Sequence, residues 1–357
     1  MQYKTLGEIC DVVSGGTPSR SKQEYWNGDI PWIKIGNIKS KYVSEADEFI
    51  TEAGLSGSSA KMLKKGTILY TIFATLGEAG VLTIDACTNQ AIAGISIKDE
   101  SVIDRDYLFY YLKSKKNYVN EVGRGVAQNN INMSILRGFE VPIRKLYEQQ
   151  EITKILDKTA SIIEDRKKEL DKLDELIKAR FVEMFFDKGY PVLGWNDVFN
   201  TITGKLDSNA MVEDGEYPFF TCAKEVFRID KYAFDQEALL LAGNNAAGKY
   251  DVKYYKGKFN AYQRTYVLGL KQNWSYRLFQ YQLEDKLVYL QQQSLGGLTK
   301  YLTMKILGDL SFIIPPMDKQ IEFEQFVKQV DKSEVAVQMA LDETQTLFDC
   351  LMQEYFG

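Results

Sequence analysis

Residues 146–187 contain no Gly and no Pro over 42 positions, which most restricts what this chain can fold into. Leu156, Ile163, Leu170, Leu173, Ile177 and Met184, with Thr159, Arg166 and Arg180 between them, recur in alternating steps of three and four. That is the a/d spacing of a coiled coil. As a helix the segment is a rod about 60 Å long. Its apolar stripe is too narrow for a globular core helix and calls for a partner helix. Residues 317–355 supply one. With the first seam shifted by an offset of 174, Leu156, Ile163, Leu173 and Ile177 fall on Val330, Val337, Leu347 and Leu351, and LDKT at 156–159 faces VDKS at 330–333. We read the two rods as an antiparallel coiled coil with its seam on Leu156, Ile163, Leu170, Leu173, Ile177, Val330, Val337, Leu347 and Leu351.

The repetition extends upstream. The turn before each rod carries Pro, in VPIRKLYEQQEI (141–152) and IPPMDKQIEF (314–323), as suits a helix start. RGVAQNNINMSIL (124–136) matches LGGLTKYLTMKIL (295–307), TNQAIAGI (88–95) matches AYQRTYVLGL (261–270), and GTILYTI (66–72) matches EALLLAG (237–243). LGEICDVVSGG (6–16) is set against LGWNDVFNTITG (193–204), and the repeat is read with offsets of 171 to 174 throughout. Such self-similarity indicates a tandem duplication in which a globular module is followed by a long helix. Within the modules, short aromatic and β-branched runs broken by Gly and Asn read as strands, among them 30–38, 67–72, 79–84, 238–243, 253–262 and 264–270. Residues 105–122 and 274–293 read as matching helices. The expected fold is α+β: two modules with curved sheets and two long helices, related by an approximate two-fold. The expected boundaries are 1–141, 142–187, 188–313 and 314–357.

Charge and residue usage narrow the function. The chain has no histidine, which removes the commonest general base and metal ligand and lowers the expectation of a hydrolase. Its four cysteines form no CxxC pair, so free cytosolic thiols are expected. The lack of a long apolar run or a secretory leader pattern points to a cytoplasmic protein. Net charge is −5, but the two rod segments alone carry −9, leaving +4 on the rest. A mildly basic body on acidic rods is compatible with phosphate binding or with ordinary solvated surface.

SGGTPSR at 14–20 followed by YWNGDIPWIKIGNI at 25–38, the rod openings LYEQQEITKILD and MDKQIEFEQFV, and the run at 216–268 together resemble the specificity subunits of type I restriction–modification systems. The resemblance covers essentially the whole chain, and the duplication with its long helices carries more of it than any one motif. It implies a non-catalytic subunit whose two target-recognition domains each read one half of a bipartite, asymmetric site in double-stranded DNA. The helices would set the gap and dock two methyltransferase subunits. S-adenosylmethionine would reside on those partners, and ATP and Mg²⁺ on restriction–translocase subunits, leaving this chain without a cofactor or metal.

Base edges in the major groove favour Arg or Lys on guanine and Asn or Gln on adenine, while other polar groups mostly hold phosphates. On that basis the first-module candidates are Thr17, Ser19, Arg20 and Lys22 in a Gly-rich basic loop, and Arg124, Gln128, Asn129 and Asn130 in RGVAQNN. Asn89 and Gln90 are read either as base-reading amides or as buried sheet polar groups. The second-module candidates are Lys224, Asn244, Asn245, Lys249, Tyr262, Gln263, Arg264, Thr299, Lys300 and Tyr301. The alternative role for Arg264 is a structural salt bridge. GNNAAGK at 243–249 fits a phosphate-cradling loop, but Tyr250 stands where Ser or Thr would hold Mg²⁺ and a strand pattern follows instead of a helix; a DNA-facing turn is the better reading. No methyltransferase or deaminase motif is present. A nuclease or methyltransferase, or a scaffold that binds only protein, are the competing functions. Arg166 and Arg180 in the seam are either snorkelling ends or register selectors.

Overall fold

The computed structural model describes residues 2–124, 130–246, 248–297 and 299–357. The chain divides into two compact units, 1–167 with 340–357, and 168–339. Each unit takes one module, half of the first rod and half of the second.

In the first unit, β1 (Gln2–Thr5), the single-turn α1 (Leu6–Ile9) and β2 (Cys10–Ser14) lead to β3 (Trp26–Ile33), β4 (Tyr42–Val43), β5 (Glu48–Ile50) and α2 (Glu52–Ser56). Then come β6 (Ile68–Thr71), β7 (Ala79–Leu82), β8 (Cys87–Thr88), β9 (Ile92–Ile97), α3 (Arg105–Ser114), α4 (Lys116–Arg124), α5 (Met133–Arg137), β10 (Glu140–Ile143) and the rod α6 (Leu146–Phe185). The main sheet has the order β2-β9-β6-β7-β4, with a smaller sheet β5-β3-β8 beside it. Strand β6 is buried on both faces because successive side chains alternate between them. Ile68 and Tyr70 pack with Tyr107, Leu108 and Tyr111 of α3, and Leu69 packs with Val43 and Leu82.

The second unit continues through β11 (Val192–Gly194), α7 (Trp195–Val198), β12 (Phe199–Thr203), β13 (Tyr217–Phe220), β14 (Phe227–Ile229), β15 (Phe234–Ala242), β16 (Asn244–Asn245), β17 (Val252–Ala261) and β18 (Thr265–Leu270). It closes with α8 (Tyr276–Asp285), α9 (Leu287–Gln293), β19 (Lys300–Tyr301), α10 (Met304–Gly308), β20 (Ser311–Ile313) and the rod α11 (Met317–Phe356). Its sheet runs β12-β18-β15-β17-β13-β14. The first five strands repeat the order of the first module, including a parallel pair at the same place, β4 on β7 and β13 on β17. Leu239 and Leu241 face one core, and Ala238 and Leu240 the other.

The duplication is therefore structural, with two corrections. The long helix expected at 105–122 is two helices broken at Lys115, as is its counterpart at Lys286. The offset is 171 for the rods, which span 40 residues each, and for α5 against α10, but it is larger at the front. The Leu6 amide donates to the Phe139 carbonyl at 2.8 Å, and the Trp195 amide to the Leu310 carbonyl at 3.0 Å. Leu6 thus corresponds to Trp195, an offset of 189, outside the 171–174 range. The first module holds extra chain, β3, β5 and α2, ahead of its central strand.

Within the first unit, Ile152 and Leu156 of α6 share a core with Phe348, Leu351, Met352, Tyr355 and Phe356 of α11. Within the second, Ile177, Phe181, Met184 and Phe185 share one with Phe323 and Val327. The start of each rod packs on the end of the other, so the pairing is antiparallel. On α6 the nine expected seam positions are all buried or half-buried. On α11 the seam runs through Phe323, Val327, Val330, Val337 and Leu341 to Thr344, Phe348, Leu351 and Tyr355. Leu347 is 53% exposed, contrary to its expected seam role, because Phe348 takes that place. The expected offset of 174 is out of step with the observed 171: an a/d pattern alternates threes and fours, so a slip of three maps apolar positions onto apolar positions. Arg180 reaches across the second unit's coil to Glu322 at 2.6 Å and also holds Glu183 at 2.8 Å, which is an interhelical ion pair rather than a snorkelling end. Among the described residues no helix is long and apolar enough to cross a membrane.

Candidate nucleic-acid interface

In each module the same four segments converge at one end of the sheet, drawn together by backbone hydrogen bonds. In the first, the Gly15 amide donates to Ile92 O at 3.1 Å, the Gly16 amide to Thr88 O at 2.8 Å, the Ile72 amide to Ala91 O at 2.8 Å and the Ile131 amide to Ile72 O at 3.1 Å. The loop at 14–22, the turn after β6, the β8–β9 turn and Asn130 thereby form one rim. Gly15 is required there, since a Cβ would collide with the Asn89 carbonyl. The Thr17 hydroxyl donates to Gln90 Oε1, so Thr17, Asn89, Gln90 and Asn130 are brought together. Gln90 is exposed, and Asn89 is half-buried with its Oδ1 accepting from the Ala91 amide at 3.1 Å. Asn89 is thus engaged within its own turn, while Gln90 is on the surface.

Arg20 and Lys22 are exposed but not loose. The Arg20 guanidinium stacks 3.7 Å from the Trp26 ring and pairs with Glu48 at 2.5 Å, while Glu48 also holds Lys34 at 2.5 Å. The Arg20 and Lys34 hydrogen bonds hold the Glu48 carboxyl below its ordinary range. Lys22 donates to Tyr25 OH at 2.9 Å, which raises the lysine's affinity for its proton. Ser19 faces Ser21 at 2.9 Å. Gln128 and Asn129, and the side chain of Arg124, lie outside the described residues.

The second rim is built alike. The Gly243 amide donates to Arg264 O at 2.8 Å, the Leu302 amide to Gly243 O at 2.8 Å, the Gln263 amide to Leu206 O at 2.8 Å and the Tyr262 amide to Phe220 O at 2.9 Å. Asn244 and Asn245 pair with Tyr301 and Lys300, the same bridge, one repeat on, as Phe73 with Asn130. Gln263 and Arg264 form the exposed tip. The Gln263 amide nitrogen Nε2 donates to Asp207 at 3.3 Å. The Arg264 carbonyl is fixed by the Gly243 amide. Lys224, Lys249, Arg264 and Thr299 are exposed and Lys300 is half-buried. Within GNNAAGK, Asn245 Oδ1 accepts from the Lys249 amide at 3.3 Å. Tyr250 is buried and β17 follows, in keeping with a turn and not a nucleotide loop.

Sequence reasoning missed two parts of these rims. Phe73, Ala74 and Thr75 are exposed on the turn after β6; their only signal is that they follow GTILYTI as Asn244 follows EALLLAG in the repeat. A cleft of about 470 Å³ beside the second tip is lined by Ser208, Met211, Thr221, Cys222, Phe227 and Tyr262, segments that adjoin only after folding. Among the described residues no group of three His, Cys, Asp or Glu could hold a metal. What both rims offer is amide, guanidinium and ammonium donors on hydrogen-bonded turns, a set suited to base edges and phosphates.

The family model described as type I restriction modification DNA specificity domain matches residues 1–174 and again 189–341. The MjaIX type I restriction enzyme specificity subunit of Methanocaldococcus jannaschii is 33% identical over 189 residues, 52% of this chain and 43% of that one. The EcoDI specificity subunit of Escherichia coli is 42% identical over 121 residues, 33% of this chain and 26% of its own length. These alignments span less than half of either relative. The EcoprrI specificity subunit of Escherichia coli aligns over 93% of this chain and 88% of its own at 23% identity. Among solved structures, the type I restriction–modification S subunit from M. genitalium superposes with a TM-score of 0.57 at 16% identity, covering all of this chain and 96% of that one, a likeness of fold.

Proposed function

The chain belongs to the type I restriction modification DNA specificity family, and from that premise we propose that it is the non-catalytic subunit that chooses the DNA sequence on which such a complex acts. Module 1–141 reads one half of a bipartite duplex site and module 188–313 the other. The helical segments 142–187 and 314–357 set the gap and dock two methyltransferase subunits. Those partners bring S-adenosylmethionine, and restriction–translocase subunits bring ATP and Mg²⁺.

One observation carries this reading: the same four-segment rim is built twice with different side chains at equivalent places. Phe73 and Asn130 stand in the first where Asn244 and Tyr301 stand in the second. One scaffold with two surfaces is what two unlike half-sites require. Arg264 suits guanine and Gln263 adenine, while Lys224, Lys249 and Lys300 suit phosphates. Gln90 is the matching amide of the first rim, and Thr17 orients it.

The test is selection from a random duplex pool with the chain and its methyltransferase subunits together. A gapped, asymmetric consensus is expected, with affinity falling steeply as salt rises. Sequence-blind, salt-insensitive binding would point to a protein-binding scaffold, and methylation by this chain alone would make it an enzyme.

A further inference from the structure

The joint between each module and its rod is short and Pro-bearing, yet its polar groups are tied down. Gln149, 0% exposed on α6, accepts from the Asp104 amide at 2.8 Å through Oε1. Its Nε2 donates to Val102 O and Arg144 O, each at 2.9 Å. Asp104 is the N-cap of α3, so one amide clasps the module's helix start, the loop before it and the joint itself. Gln320, 1% exposed on α11, does the same at the equivalent place in the second repeat. It accepts from the amide of Ser275, the N-cap of α8, at 3.0 Å and donates to Pro315 O at 2.8 Å.

Further bonds brace each joint. Tyr107 and Tyr111 donate to Pro142 O and Glu140 O at 3.0 and 2.8 Å. Gln282, equivalent to Tyr111, exchanges two bonds with Ile313 at 2.8 and 3.0 Å. Ion pairs stitch module to rod farther along, Lys41 to Asp157 at 2.5 Å and Arg277 to Asp331 at 2.6 Å. The Gln149 amide uses both donors and its acceptor, and the Gln320 amide one donor and its acceptor; a swivel of either breaks those bonds inside the core.

We infer that the buried amides of Gln149 and Gln320 set the angle at which each module leaves its helix, and so act as positioning residues for spacer selectivity in addition to the length of the coil. This rests on the DNA-reading role proposed above. Adding one base pair to the gap moves a half-site by about 3.4 Å along the duplex and turns it by about 35°. A rigid joint cannot follow that movement, whereas a loosened one can.

The experiment compares the full chain with Gln149→Met and Gln320→Met, each assembled with methyltransferase subunits. Initial methylation rates are measured on duplexes carrying the selected half-sites at the preferred gap and at one base pair more or less. Leu240→Ala, a core truncation on the face of β15 turned away from the Leu239 and Leu241 core, is the control for lost stability, with thermal unfolding followed for all. Each Met variant should keep its half-site consensus while its preference for the preferred gap falls about threefold to tenfold; Leu240→Ala should lower Tm and leave the preference intact. A preference unchanged in both Met variants, or flattened equally by Leu240→Ala, overturns the inference. If Gln149→Met does not fold, Gln320→Met, which loses fewer bonds, decides the matter. A wild-type complex with no gapped consensus refutes the DNA-reading role itself, a different result from a sharp wild-type preference that the variants share.

Discussion

Gly204 lies at the root of the second rim, where its amide donates to Thr265 O at 3.4 Å. A Cβ there would lie 2.6 Å from Tyr262 O and closer still to the Ala261 carbonyl, whereas real Cβ atoms essentially never come within 3.0 Å of another heavy atom. The 261–262 backbone must therefore withdraw to make room, and Gln263 and Arg264 ride on it. Overpacking of this kind costs about 1–3 kcal/mol, which in a unit of this size lowers Tm by a few degrees per kcal/mol. The larger effect is on recognition, since a displaced bidentate base contact forfeits about 1–3 kcal/mol of discrimination, or about fivefold to 150-fold in affinity. Gly204→Ala should be assayed in the assembled complex by competition with duplexes scrambled in one half-site or the other. Discrimination should collapse at the half read by the second module and persist at the other. Equal loss at both halves, or none with Tm unchanged, would refute the reasoning that this glycine seats the recognition turn.

Arg264→Ala and Gln263→Ala should each weaken one half-site by about 1–3 kcal/mol, and methylation assays on half-site variants would show the loss confined to that half. The Glu48 carboxyl is held below its ordinary range by Arg20 and Lys34, so its ionised form contributes stability above the usual carboxylate range, about pH 4.3. That contribution is lost as pH falls through the lowered pKa. The Tm difference between wild type and Glu48→Gln should therefore be constant near neutrality and vanish on acidification; a difference that grows toward low pH would contradict the assignment. Inserting one heptad into 156–184 and one into 330–351 together adds about 10 Å of helix, and should lengthen the selected spacer by about three base pairs with both half-site sequences unchanged.

Much of the architecture was legible because it rests on local periodicity. A long stretch without Gly or Pro and with a/d steps becomes a long helix wherever it sits, and α6 does so with its nine seam positions turned inward. The strands Ile68–Thr71 and Phe234–Ala242 were visible in part as the apolar runs 66–72 and 237–243, which extended the duplication first seen in the rods. Lys249 was picked out in a Gly-rich turn, Gln263 and Arg264 as a polar pair between strands and Lys224 by residue type, and all four side chains are exposed. Arg20 was chosen on the same grounds, but its stacking on Trp26 and pairing with Glu48 bring together residues that are not neighbours in the chain. No local signal carries that capture.

The sequence by itself determined that there would be two modules, two rods and a repeat, because helical and strand periods are properties of adjacent residues. The tertiary structure decided the register. A heptad pattern cannot distinguish an offset of 171 from one of 174, and the choice came from distant partners, the packing of Phe348 in place of Leu347 and the hydrogen bonds of Gln149 and Gln320 to the helix starts at Asp104 and Ser275. It also decided which turns meet. Phe73 faces Asn130, and Asn244 faces Tyr301, through contacts between segments far apart in the chain that only the folded module brings within hydrogen-bonding reach.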